Sequence, residues 1–310
     1  MSLNNLKKRI TSTQKTAQIT RAMQMVAAAK YNRISKDARS YAVYAKKLRE
    51  LVSDVVSVHI EDLISTEDQS TESGLIDFRD LLEQRPIKKT GFLVITTSQG
   101  LAGSYNNSIL QQIDKIFKQY NKEEIVVLAM GTPIVEYCRE QGYEVAYEMH
   151  SVSDRPDFIE VQSIVRKATE MFHDKVFDAL YVCYNRHVNA IHYEFKNEQI
   201  LPILGLQEER DEPVDDGPLL DFIIEPSADG LLDVLLPQYA ESQIYGAIIH
   251  AKAAEHGTRM TTMQSATENA QSMIDDLQQS YNQQRQLRVT NEIIEIVSGA
   301  NAQNETKGGN

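Results

Sequence analysis

The sequence predicts an α/β protein whose two ends pair as a long antiparallel coiled coil around an inserted domain of strands and helices. Residues 2–58 contain neither proline nor glycine, residues 238–302 contain no proline, and the residues between them change to short apolar runs. A single helix over residues 238–302 would be roughly 95 Å long. Because the radius of gyration of a 310-residue globule is only about 19 Å, such a helix must leave its domain and needs a partner helix.

The first end, residues 1–58, carries a sustained heptad pattern. Alternating steps of three and four residues give sixteen positions, of which thirteen are apolar. This pattern predicts a coiled-coil helix, and a helix of an ordinary bundle is the alternative. The sixteen positions are Leu3, Leu6, Ile10, Thr13, Ala17, Thr20, Gln24, Ala27, Tyr31, Ile34, Ala38, Tyr41, Ala45, Leu48, Val52 and Val55.

The pattern changes at residues 22–29, where small or unbranched apolar side chains occupy the whole circumference. A helix that is apolar all round is enclosed by protein, so we expect this segment to face several partners. The other end, residues 227–302, is predicted as the second coiled-coil helix, started or kinked by Pro237, and residues 303–310 as a disordered tail. The predicted seam of this helix is Met263, Ala266, Ala270, Met273 and Leu277.

The middle of the chain divides into an acidic loop, residues 59–85, and an α/β globular domain, residues 86–226. The loop is rich in Asp, Glu, Ser and Thr, with a short helix expected at 75–84. The domain alternates apolar strands with amphipathic helices, which predicts a Rossmann-like sheet that is parallel at least in part. The expected strands begin at Gly91, Ile125, Tyr143, Ala179, Ala190 and Phe222, and the expected helices follow Ser104, Pro133 and Asp157.

The net charge of −12 conceals an uneven distribution. Residues 1–58 carry twelve Lys/Arg and three Asp/Glu, whereas residues 59–230 carry fifteen against thirty-two. A basic arm on an acidic body predicts that the arm meets an acidic surface. No apolar run approaches the ~20 residues of a membrane span, the start lacks the apolar core of a secretory signal, and two cysteines make no disulfide framework. We therefore expect a cytoplasmic chain without direct membrane insertion.

Residues that could carry out catalysis or hold a cofactor are sparse. Residues 99–104 stand between a strand and a helix, but they match no glycine-rich phosphate pattern and lack its lysine, so a tight turn is favoured. His187 and His192 have no third ligand nearby. We expect no catalytic residue, cofactor or metal. The basic arm lacks the stacking platforms of single-strand binders, so nucleic acid is not an expected partner.

Long motifs at both ends carry a resemblance to a known family. The first end contains Arg9-Ile10, Ser12, Thr16-Ala-Gln-Ile-Thr20, Ala22-Met23, Met25-Val-Ala-Ala28 and Lys30. The other end contains Glu255-His256, Arg259-Met260, Met263, Ala266-Thr267, Asn269-Ala270, Leu277, Tyr281-Asn282, Arg285-Gln286, Thr290, Glu292-Ile293 and Glu295-Ile-Val-Ser-Gly-Ala300. Together they resemble the gamma subunit of the F-type, rotary ATP synthase.

The resemblance implies a non-catalytic central-stalk rotor subunit of a proton-translocating ATP synthase. It would couple rotation of the membrane ring to conformational change at the catalytic sites of an alpha/beta hexamer. The implied partners are the alpha and beta subunits, the epsilon subunit and the membrane c-ring, with the chain peripheral on the cytoplasmic face of the cell membrane. A coiled-coil scaffold without a rotary role and an enzyme acting at the sheet are the alternatives. The implied partner contacts are Arg21, Met23, Lys30, Arg259, Arg285 and Gln286.

Overall fold

The computed structural model describes residues 2–65, 78–204 and 228–307. The chain divides into two compact units, one running from Ala28 to Arg259 and the other combining Met1–Ala27 with Met260–Asn310. Two long helices run through both units. The first helix, α1, spans Leu3–Ser65, and the last, α5, spans Ala228–Lys307.

The heptad pattern of α1 is confirmed by burial, because none of its sixteen seam positions is exposed. The helix nevertheless continues to Ser65, so the predicted boundary at residue 58 is wrong. No glycine or proline lies at 59–65 to break the helix. Residues 66–77 of the expected acidic loop lie outside the described residues, and the expected helix at 75–84 is a 3-10 helix over Phe78–Leu82.

The last helix, α5, also differs from its predicted boundaries. It contains Pro237 in its interior, so this proline does not start the helix. At the other end the helix continues to Lys307, which contradicts a disordered tail from residue 303. Residues 303–307 contain neither glycine nor proline and can extend the helix, whereas two glycines follow at 308 and 309.

The two helices contact each other in both units, and in the unit that contains the sheet they run antiparallel. In the unit that combines the chain ends, the hydroxyls of Thr20 and Thr267 lie 2.7 Å apart. In the other unit, the Tyr41 hydroxyl donates to the Ser242 carbonyl at 2.9 Å. A small apolar cluster also lies between the helices there, formed by Ile34, Ala38, Ile249 and Ala253.

The seam of α5 corrects one predicted residue. Met263, Ala270 and Leu277 are buried as expected, but Met273 is 50% exposed and Ile274 is buried in its place. Steps of four from Ala270 and three to Leu277 keep the stripe on the face towards α1, whereas a step of three to Met273 leaves that face.

The inserted domain contains the elements β1 Thr90–Ile95, α2 Tyr105–Phe117, β2 Ile125–Met130, α3 Thr132–Gln141, β3 Glu144–Met149, α4 Phe158–His173, β4 Ala179–His187 and β5 Tyr193–Leu201. Its five strands form one sheet in the order β3-β2-β1-β4-β5. Neighbouring strands are parallel except for β4 and β5, which form the predicted antiparallel hairpin. Ser104 precedes α2 as predicted, but its side chain makes no capping hydrogen bond. The expected strand at 222–224 lies outside the described residues.

Alternate residues of the central strands point into two apolar layers, as expected for a sheet covered on both faces. On one face, Leu93 and Leu128 pack with α4 and with parts of α1 and α5. On the other face, Phe92 and Val127 pack with α2 and α3. The part of α1 from Leu48 to Val56 and the part of α5 from Leu232 to Ala251 therefore contribute to the core of the domain.

Candidate partner interface

The C-terminal part of α5 carries an apolar surface that the chain itself does not cover. Continuing the register set by Thr20 and Thr267, Leu3 at the start of α1 lies opposite about residue 284, because both helices rise equally per residue. Every residue from 282 to 299 is exposed. Six of them are large aliphatic residues: Leu287, Val289, Ile293, Ile294, Ile296 and Val297.

These six side chains fall within about half of the helix circumference at 100° per residue. Arg288, Glu292 and Glu295 occupy the opposite half. A one-sided aliphatic face of this kind normally packs against other protein. Ile296 is 71% exposed, so in the described chain this face has no such cover. Exposed contiguous apolar surface on this scale marks an interaction site.

The first helix carries a second apolar face in the same unit. Ile19, Met25 and Val26 are all more than half exposed, and they share the side opposite the seam residues Thr20 and Ala27. The sequence predicts that several partners enclose residues 22–29. The exposed side chains of Met25 and Val26 in this segment are available for such contacts.

Four of the predicted partner contacts lie in this unit with accessible side chains. Arg21, Arg285 and Gln286 are exposed, and Met23 is half-buried. Arg285 borders the aliphatic face of α5, and Gln286 lies within it at 100° per residue. Their contact with a partner stays a prediction.

The remaining two predicted contacts, Arg259 and Lys30, belong to the unit that contains the sheet, where the structure gives them partners within the chain. Arg259 is only 7% exposed. Its guanidinium donates to the carbonyls of Gln99 and Gly100 at 3.0 and 3.2 Å, and to Glu255 Oε1 at 2.8 Å. The buried guanidinium therefore has acceptors within the chain, and its contact with another subunit stays a prediction.

Lys30 also has a partner within the chain, and its contact with another subunit stays a prediction. Its ammonium lies 2.6 Å from Asp154 Oδ2, in the loop between β3 and α4. The pKa of Asp154 is lowered, because the hydrogen bond from Lys30 and the nearby cations outweigh the opposing effect of partial burial. Lys30 is therefore an attachment of α1 to the sheet domain in the described chain.

Around Arg259 lies a buried polar cluster that sequence reasoning missed. Glu255 is 3% exposed and accepts from both Arg259 and Lys252, whose Nζ lies 3.1 Å from Glu255 Oε2. His256 is fully buried beside them, and burial lowers its pKa to about 4 against the opposing pull of Glu255 and Asp154. A signal was present in the sequence, since Glu255 lies three residues after Lys252 and four before Arg259 on one helix.

The chemistry of this cluster is structural. Arg259 donates hydrogen bonds to carbonyl oxygens of the turn at residues 99–104 and so fixes that turn. This turn stands where a phosphate-binding loop could occur in the sequence. Over residues 2–65, 78–204 and 228–307, no group of three or more His, Cys, Asp and Glu side chains could hold a metal ion. None of the described helices is long and apolar enough to cross a membrane.

The fold and the exposed helix surface together define a class of protein. It is a two-helix coiled coil made by the chain ends, carrying an inserted α/β domain and an uncovered apolar end. The ATP synthase family model matches residues 2–303. The ATP synthase gamma chain of Enterococcus hirae is 45% identical over 97% of this chain and 98% of its own length, and that of Lacticaseibacillus paracasei is 43% identical over the same shares.

The chain belongs to the ATP synthase gamma chain family. The gamma chain is a subunit of ATP synthase and is not itself catalytic. Solved structures share the fold at low identity. A chain of the Euglena gracilis mitochondrial ATP synthase, in an assembly of OSCP, F1 and c-ring, aligns over 98% of this chain and 95% of its own length with a TM-score of 0.61 and 15% identity. A central stalk/c-ring structure from Tetrahymena thermophila aligns over 80% and 99% with a TM-score of 0.53 and 21% identity.

Proposed function

We propose that this chain is the central-stalk rotor subunit of a proton-translocating ATP synthase. It couples rotation of the membrane ring to conformational change at the catalytic sites of an alpha/beta hexamer during ATP synthesis or hydrolysis. The observation that carries this proposal is the amphipathic end of α5, where an aliphatic half-face is exposed from Leu287 to Val297. A ring of surrounding subunits would cover it.

The partners follow from family membership and from charge. The alpha and beta subunits would enclose the unit that combines the chain ends, and the basic residues Arg21 and Arg285 would meet acidic groups or carbonyls there. The epsilon subunit and the membrane c-ring would bind the sheet domain. The chain would then be peripheral on the cytoplasmic face of the membrane, held there by the complex.

Coupling requires a rotor whose surface differs around its circumference. The two helices present different surfaces, with Ile19, Met25 and Val26 on one and an aliphatic and charged pattern on the other. Three equivalent subunits around such a rotor cannot make the same contacts at once. Each would be biased towards a different conformation. Rotation of the coiled coil would then change, in turn, the conformation that each subunit adopts.

One pair of substitutions separates stability of the coil from contact with the ring. Leu277 is buried in the seam, so Leu277→Ala should destabilise the isolated chain by about 2–5 kcal/mol. Arg285 is exposed, so Arg285→Ala should change stability by no more than about 0.5 kcal/mol. In the assembled complex, Arg285→Ala should instead lower ATP turnover or proton pumping.

Thermal melts of both isolated variants and activity after assembly test this proposal. Gln286→Ala serves as a second exposed variant from the same surface. Arg285 is not a coupling residue if its variant melts as early as Leu277→Ala, or if the assembled complex keeps the unsubstituted activity.

A further inference from the structure

The loop between β3 and α4, residues 150–157, crosses both long helices within the unit that runs from Ala28 to Arg259. We call this loop the clasp. It is anchored to the sheet domain at its first residue and near its middle. The Ser98 hydroxyl, after β1, donates to the His150 carbonyl at 2.6 Å, and the Ser153 amide donates to Glu160 of α4 at 2.9 Å.

The clasp reaches α1 through two adjacent charged residues. Asp154 accepts from Lys30 at 2.6 Å. Arg155 binds Asp37 through two nitrogens, with Nε 2.8 Å from Oδ2 and Nη2 3.3 Å from Oδ1. Lys30 and Asp37 are seven residues apart and therefore lie two turns apart on one face of α1.

The same loop also reaches α5. The Tyr245 hydroxyl donates to the Pro156 carbonyl at 3.2 Å. His256 Nε2 lies 3.5 Å from Asp154 Oδ1, which is a looser contact. The clasp thus joins both helices to the sheet by polar contacts.

Apolar packing does not provide this attachment for α1. The core residues that α1 shares with the sheet domain begin at Leu48 and continue through Val56. Ile34 and Ala38, nearer the clasp, cluster with Ile249 and Ala253 of α5. The Tyr31 hydroxyl, next to Lys30, also lies 2.9 Å from His187 Nε2 at the end of β4. From Lys30 to Leu48 is about 27 Å of helix, so the clasp and the Tyr31–His187 contact together attach α1 that far before its first shared core residue.

We propose that the clasp fixes the coiled coil to the sheet domain for the transfer of torque, with Asp154 and Arg155 as positioning residues. This inference rests on the proposed rotary function. A rod twists more under a given torque when its free length is greater. The clasp contacts at Lys30 and Asp37, together with the Tyr31–His187 contact, shorten the free length of α1. Rotation of the sheet domain is then transmitted to the coiled coil with less torsional deformation.

The first test uses the isolated full chain and amide hydrogen exchange. In Asp154→Asn and Arg155→Asp, we expect about two- to fivefold faster exchange in residues 28–40 and 150–157, the change that loss of an exposed ion pair produces in local opening. Adding Asp37→Arg to Arg155→Asp restores a pair of opposite charges and should restore slow exchange. Glu50→Gln is the matched control, because it removes a carboxylate from a 2.7 Å pair with Lys47 inside α1.

The second test measures torsional stiffness in the assembled complex, with the coil held in the hexamer and a probe on the sheet domain. The clasp variants should widen the thermal angular fluctuation of the probe, and Glu50→Gln and the charge-swapped pair should not. Unchanged exchange in Asp154→Asn and Arg155→Asp overturns the clasp as an attachment. Faster exchange with unchanged fluctuation overturns its role in torque transfer. If the unsubstituted chain does not rotate, the proposed function fails, and the exchange result still decides whether the clasp attaches the helix.

Discussion

Glu255→Ala should destabilise the unit that contains the sheet by about 3–5 kcal/mol. Glu255 is 3% exposed and lies between Lys252 and Arg259, both of them 7% exposed. Removing the carboxylate leaves two buried cations without their shared counter-charge, and an uncompensated buried charge is among the most damaging changes a folded protein can carry. The free energy of unfolding in urea measures the effect.

Glu268→Ala is the matched control for this substitution. Glu268 is on the same helix and also accepts a side-chain hydrogen bond, from Gln264 at 3.0 Å, but it is exposed. Its loss should cost no more than about 0.5 kcal/mol. Equal effects of the two substitutions would mean that the cluster of Lys252, Glu255 and Arg259 does not stabilise the fold.

Deleting residues 260–310 should unfold the start of α1 while the sheet domain stays folded. Residues 3–27 share a compact unit only with the deleted segment. A long helix owes most of its stability to packing, so without Met263, Ala270 and Ile274 opposite it the first helix should fray. We expect amide exchange in residues 6–24 to approach the rates of an unfolded chain, while β1 and β2 remain protected.

A shorter deletion, residues 285–310, provides the control. Continuing the register of Thr20 with Thr267 leaves α1 fully paired in this variant, so residues 6–24 should remain protected. If the longer deletion left exchange in residues 6–24 unchanged, pairing of the chain ends would not be what holds α1 in its helix.

Features with a strong local pattern could be predicted from the sequence. None of the sixteen seam positions predicted from the heptad of α1 is exposed, and the apolar run Ile125–Met130 matched β2 residue for residue. Gly142 ends α3 with a positive φ of 72°, as a glycine after a helix commonly does. Each of these depends on spacing along the chain, and the spacing is visible in the sequence.

Features that depend on distant partners could not be predicted in the same way. Arg259 donates to the carbonyl of Gln99, 160 residues away in the sequence, and Lys30 donates to the carboxylate of Asp154, 124 residues away. An exposed cation and a buried, internally bonded one look alike in sequence. The wrong prediction of Met273 as a seam residue has a local cause. Steps of three and of four residues both fit a heptad, and only packing shows that Ile274 is the buried residue.

Rotation of the chain inside the assembled complex tests the central claim most directly. Both native cysteines, Cys138 and Cys183, are buried, so a probe can be attached selectively at Lys115→Cys on the exposed face of α2. The chain would be assembled with three alpha and three beta subunits, the hexamer fixed to a surface, and ATP added. We expect the probe to turn in one direction with three equally spaced pauses per turn. ATP hydrolysis by the complex with a stationary probe would contradict the rotary account and would leave the chain as a fixed scaffold.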